Sequence, residues 1–119
     1  MLLGKTIYSE AGEQDSNQIM EHLYNQIKGI KFNKRRDGVK QTILNYIARD
    51  NVRVGPEIYR VEFGKVHHAN GIGNNNEWPT YLVNDKEKCL VGSVFVLWPI
   101  FGDTCEVSVK NIKGERLNV

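Results

Sequence analysis

The chain has 119 residues, 40% hydrophobic and 25% charged, with a formal net charge of +2. That length suits one domain spanning 1–119, able to bury roughly two thirds of its unfolded surface without help from a disulfide. The longest apolar run, 94–100, is broken by Pro99 and falls well short of the roughly 20 residues of a membrane span, so no membrane partner is expected.

Residues 1–5 show no basic region ahead of an apolar stretch and no small-residue cleavage site, which predicts a cytoplasmic protein. Cys89 and Cys105 form no Cys-x-x-Cys motif, and two unpaired thiols suit a reducing compartment. No cofactor is expected.

In chain order, Leu2, Ile7 and Tyr8 suggest a short opening strand, followed by a polar link over 9–14. Asp15 or Ser16 is a good helix cap, and Asp15 with Gln18 has the spacing of a capping box. Ile19, Met20, Leu23, Tyr24 and Ile27 then mark one helical face, with Gly29 as the stop. The acids Glu10, Glu13, Asp15 and Glu21 give way to six cations, Lys28, Lys31, Lys34, Arg35, Arg36 and Lys40, offset only by Asp37. A local basic patch follows from that distribution. Asp37 would cap a second helix carrying Val39, Ile43, Leu44, Tyr46 and Ile47 on one stripe and ending near Asn51.

From Val52 the period changes to two. Tyr59, Val61 and Phe63 alternate with Arg60 and Glu62 as a half-buried strand does, behind an entrance at Gly55 and Pro56. Regular structure resumes over 80–83, and 89–98 is apolar on both faces apart from Ser93, the pattern of a covered central strand. Val107 and Val109 mark a further strand, and Leu117 and Val119 follow a turn over 111–114. A turn over 99–103 would place Cys105 across from about residue 96, leaving the two thiols apart. The expected fold is α+β, with two N-terminal helices packed on a mostly antiparallel sheet of about four to six strands.

The most distinctive tract is 66–76, Val-His-His-Ala-Asn-Gly-Ile-Gly-Asn-Asn-Asn. Histidine serves in metal ligation and in proton transfer near neutral pH, and Gly and Asn tolerate the backbone angles of a loop that bends around a ligand. If His67 and His68 end a strand, alternation sends them to opposite faces. The tract resembles the centre of the HNH-type endonucleases. The resemblance implies His67 as ligand to a divalent cation, His68 as general base on water, and Asn70 or one of Asn74, Asn75 and Asn76 steadying the loop for attack on a phosphodiester. It also implies a helix with a further ligand after the loop, where Pro79 and the run 77–83 instead read as a turn and a strand.

Ser93 lacks a Gly-x-Ser-x-Gly setting, Cys105 has no histidine nearby in sequence, and Asp85 and Glu87 sit among lysines as a solvated turn does, so none is assigned catalysis. Lys34, Arg35 and Arg36 between two helices suit phosphates or an acidic protein surface, with Phe32 or Tyr46 near enough to stack a base. Trp78 and Trp98, beside proline turns, would anchor an interface if exposed and cap the core if not.

These features predict a non-enzymatic binding module of regulator, inhibitor or adaptor type. Its macromolecular partner is expected to be a protein, with nucleic acid as the other possibility, through the segment 28–40. The expected contact residues are Lys34, Arg35, Arg36, Asn70, Asn74, Asn75 and Trp78. The alternative is a divalent-metal phosphodiesterase with His67 as ligand and His68 as base.

Overall fold

The computed structural model describes residues 7–33, 39–48, 51–68, 76–97, 102 and 104–117. Among these residues, eight strands and two helices run in the order β1 (Ile7–Glu10), α1 (Glu13–Asn25), β2 (Phe32–Asn33), α2 (Val39–Ile47), β3 (Val52–Val54), β4 (Glu57–Phe63), β5 (His67–His68), β6 (Asn76–Val83), β7 (Glu87–Leu97) and β8 (Thr104–Lys110). The sheet order is β2-β8-β7-β6-β4-β3, with β1 attached to β7 and β5 to β6. The fold is α+β, as expected, but richer in sheet. The extra strands are short pieces too brief to show a period of two.

The helices follow from periodic burial. On α1, Ile19, Met20 and Leu23 are buried, joined by Ile27 just beyond it. Each such side chain gains about 1.5–3 kcal/mol relative to exposure, which outweighs any preference of the polar residues between them. The helix starts earlier than its expected cap. Gly12 takes the cap position without a side-chain bond, and Glu13 and Asp15 fall in the first turn, where acids oppose the positive end of the dipole. On α2, Ile43 and Ile47 are buried, while Tyr46 is partly exposed and meets Phe32 edge-on at 5.8 Å. The expected cap at Asp37 lies outside the described residues.

The spine is β7, and its pairing changes along its length. On one side β6 accompanies it from Asn76↔Val96 to Val83↔Lys88, with a register shift that leaves Val91 opposite no residue. On the other side the first part pairs with β1 in parallel, Ile7↔Glu87 through Glu10↔Leu90, and the second part pairs with β8 antiparallel, Ser93↔Lys110 through Leu97↔Glu106. Val107 therefore faces Val96, so Cys105 lies two residues further along than the sequence spacing suggests. Both cysteines are free.

Where β1 gives way to β8, the ladder has a seam at Val91 and Gly92. Ser16 of α1, completely buried, closes it: its hydroxyl donates to the Val91 carbonyl at 2.7 Å and accepts from the Ile112 amide at 2.7 Å. A residue expected as a helix cap is instead a clip between helix and sheet. A Cβ on Gly92 would run into the Lys110 carbonyl and come within 2.6 Å of Met20 Cγ. Glycine is the residue that lets α1 and β8 approach β7 this closely.

The core lies between the inner sheet face and the helices, with Trp78, Val94, Val96 and Val109 among its members. The far side of β7 is covered by long side chains. Lys110 Nζ sits 5.0 Å and the Arg116 guanidinium 5.7 Å from the Phe95 ring, and Lys110 also bonds Glu77 at 2.7 Å. These stems explain why an apolar strand needs no second layer there.

Ser16→Ala should lower unfolding stability by about 1–3 kcal/mol, because it leaves the buried Val91 carbonyl and the half-buried Ile112 amide without their partner. Gly92→Ala should cost a similar amount through overpacking. Ser9→Ala, at an exposed position, should change stability by under about 0.5 kcal/mol. Urea midpoints of the three variants check this order.

Candidate functional site

The first turns of the fold make a site that begins as an open strand edge. The Ile7 amide donates to the Lys86 carbonyl at 3.3 Å and the Ala11 amide to the Leu90 carbonyl at 2.9 Å. In a parallel strand the backbone groups of alternate residues turn to opposite sides, so those of Tyr8 and Glu10 project away from β7. No strand among the described residues pairs there. All four residues of β1 are exposed, and Ile7 at 64% and Tyr8 at 72% exceed the other exposed large hydrophobics of the described residues, Tyr46 and Ile58.

Beside this edge lies a cavity of about 250 Å³, between β1, the start of α1 and the β3–β4 hairpin. Its walls include Glu10, Asp15, Tyr59, Glu87 and Cys89, and no Lys, Arg or His. It shares Asp15, Ile19 and Val54 with a larger groove of about 450 Å³, which continues between α1 and β3 to His22 and Arg53. The cleft as a whole runs from an acidic end at β1 to a basic end at the hairpin.

Within the cavity, Tyr59 is held protonated. Its pKa is pushed up to about 12, first by burial and then by the negative charge of Glu87 and a hydrogen bond to it. The phenol is therefore a donor to Glu87 near neutral pH and not a base. Ser9 Oγ lies 3.4 Å from the same carboxylate. Cys105, elsewhere in the core, has its thiol pushed up by burial, the opposite of what a nucleophile needs.

The sequence-derived candidates are dispersed. His67 and His68 form β5, in register with Glu77 and Asn76 of β6. His67 is exposed, and the carboxylate of Glu77 is taken by Lys110. Among the described residues no group of three or more His, Cys, Asp or Glu is placed to hold a metal. The segment where the HNH resemblance implies a helix is strand β6.

Asn70, Asn74 and Asn75 lie outside the described residues, as do Lys34, Arg35, Arg36 and Trp98. Of the basic segment, Lys28 and Lys40 are exposed, and Lys31 pairs with Glu106 at 3.1 Å. Phe32 is buried, so of the two rings proposed for stacking only Tyr46 reaches the surface.

Trp78, expected as a contact residue, must be corrected. It is 4% exposed and stacks on Phe63, with centroids 5.6 Å apart and planes at 9°. Alternation along β6 puts it on the inner face with Thr80 and Leu82, so it serves the core.

Sequence reasoning expected an opening strand around Ile7 and Tyr8, which β1 matches, but missed its open edge and the cleft beside it. The adjacent pair Ile7-Tyr8 was the available signal, since two neighbouring apolar residues on a strand cannot both face one core.

Compared with known proteins, the chain matches no family model, no curated protein and no solved structure.

The raised pKa of Tyr59 sets an alkaline limit on stability. Below about pH 10 the phenol is neutral in both folded and unfolded states; between about 10 and 12 only the unfolded state ionises, so this contribution is lost as pH rises. Ultraviolet titration should show one tyrosine ionising near 12, absent in Tyr59→Phe and shifted towards 10 in Glu87→Gln. Unchanged titration in Glu87→Gln would remove that carboxylate as a contributor.

Proposed function

We propose that this chain is a single-domain, non-enzymatic binding module that takes an extended segment of a partner protein along β1. The observation that carries this is that, among the described residues, β1 is paired on one side only, which leaves the Tyr8 and Glu10 backbone groups directed outward beside two exposed apolar side chains. Strand addition derives affinity from main-chain hydrogen bonds and selectivity from pockets for alternate side chains, and the cavity next to the edge supplies such a pocket. An unprotected edge is also a liability for aggregation, which natural sheets blunt with charge, proline or cover. Here Glu10 supplies one charge at the end of the strand, while Ile7 and Tyr8 leave its beginning apolar.

Protein is favoured over nucleic acid at this place because Glu10, Asp15 and Glu87 would repel phosphates. An adaptor, inhibitor or regulator is the type of protein such a surface serves.

Tyr8→Pro provides a selective test. Proline is tolerated on an edge where its missing N–H faces solvent, so the variant keeps the bonds from Ile7 and Ala11 to β7 while losing the outward donor. A peptide selected from a displayed library against the wild-type protein should perturb the Tyr8 and Glu10 amides in NMR spectra. It should bind Tyr8→Pro at least about tenfold more weakly, the loss of roughly 1.4 kcal/mol. Equal affinity, or perturbations confined to another face, would remove the edge from this account.

A further inference from the structure

We propose that the segment received by β1 is the free amino-terminal end of a partner chain, lying antiparallel to β1 with its first residue opposite Glu10. This rests on strand addition at β1.

The pairing pattern closes one end of the edge. β1 and β8 follow each other along the same side of β7, β1 opposite 87–90 and β8 opposite 93–97. A strand added to β1 therefore lies in the next row out, which beside β8 is occupied by the stretch 115–117. There Arg116 bridges Lys110, and the Leu117 amide donates to the Val109 carbonyl at 3.1 Å. The turn 111–115 leads into that row at the level of Val91, because the Ile112 amide shares the Ser16 hydroxyl with the Val91 carbonyl. Glu10 pairs with Leu90, one residue earlier. At about 3.3 Å of rise per residue, an added strand has room opposite Ile7 to Glu10 and meets the turn on its next step.

The stop is firmly tied. Asn111, 4% exposed, accepts from the amides of Lys113 and Glu115 and donates to Asn17 of α1 at 2.9 Å, while Lys113 pairs with Glu13 at 3.0 Å. Gly114, at φ 82°, allows the tight reversal. Beyond Ile7, at the other end, no strand among the described residues continues the row. A chain running past the stop would have to leave the row within a residue of Glu10, so the geometry favours a segment that begins or ends there.

Two arguments select the beginning. Antiparallel pairing is slightly the more stable, and in it Tyr8 and Glu10 each exchange two bonds with one residue of the added strand. Such a segment has its amino terminus at the stop, whereas a parallel one would bring a terminal carboxylate up beside Glu10, of like charge. The fourth residue of the segment then falls opposite Ile7, on the face of Ser9 and the cavity, where an apolar side chain covers the exposed Ile7.

The test uses the intact protein, labelled with ¹⁵N, and the hexapeptide Thr-Val-Thr-Val-Thr-Lys, amidated at its carboxyl end. It is compared with two longer forms, one with Gly-Ser-Gly added ahead and one with Gly-Ser-Gly added behind. The hexapeptide should shift the Tyr8, Glu10, Gly114 and Glu115 amides saturably. Residues added behind should leave its affinity within about twofold, and residues added ahead should weaken it at least about tenfold. Equal affinity of all three forms would overturn the closed end while sparing strand addition. Weakening only by residues added behind would put a carboxyl terminus at the stop and overturn the proposal, again sparing strand addition. Absence of β1 shifts with every form would overturn both.

Discussion

One strand cannot hydrogen-bond two neighbours through the same backbone groups, and β7 must serve both β1 and β8 on one side. The handover at Val91 and Gly92 would leave the buried Val91 carbonyl without a partner, and the Ser16 hydroxyl bonds both it and the half-buried Ile112 amide, just past β8, at 2.7 Å. A hydroxyl can donate once and accept, so one side chain closes both gaps. The rest of the N-terminal architecture depends on that contact. It fixes where α1 crosses the sheet, and Gly92 supplies the space for Met20 to lie against it.

Two magnitudes separate what attaches the helix from what places it. Burial of Ile19, Met20 and Leu23 contributes several kcal/mol by area, far more than the roughly 1 kcal/mol net of a typical hydrogen bond. Hydrophobic burial is non-directional, however, and would tolerate a helix slid along the groove. The penalty for unsatisfied buried backbone groups is positional, and it selects one setting. With α1 so placed, the chain before it runs parallel to β7 as β1, and the space between β1, α1 and the hairpin remains as the cleft. The proposed binding edge is therefore a by-product of the same geometry that closes the seam.

Much of the scaffold was legible because it rests on period. Ile19, Met20, Leu23 and Ile27 marked α1, Tyr59 and Val61 marked the inner face of β4, and the apolar stretch 89–98 marked the central strand, β7. What escaped depends on long-range pairing. Nothing local to Ser16 distinguishes a cap from a clip to residues 75 and 96 positions away. β1 pairs in parallel with a strand near the far end of the chain, and its exposure on both faces is set by partners that no window of sequence contains. The histidine tract drew attention by composition. Its described part is a two-residue strand, with exposed His67 across from a carboxylate bound to Lys110. Trp78 was ambiguous for a different reason, since a ring beside proline can cap a core or face outward, and only its stacking on Phe63 decides.

The proposed binding edge requires β1 to be paired on one side only, in a register held by the seam. Amide hydrogen exchange over residues 7–11, measured by NMR on the wild-type protein, tests this most directly. Slow exchange at Ile7 and Ala11 with fast exchange at Tyr8 and Glu10 is the predicted alternation. Uniformly fast exchange would mean β1 is not docked on β7, and protection of Tyr8 and Glu10 would mean the edge is already covered; either result contradicts the account.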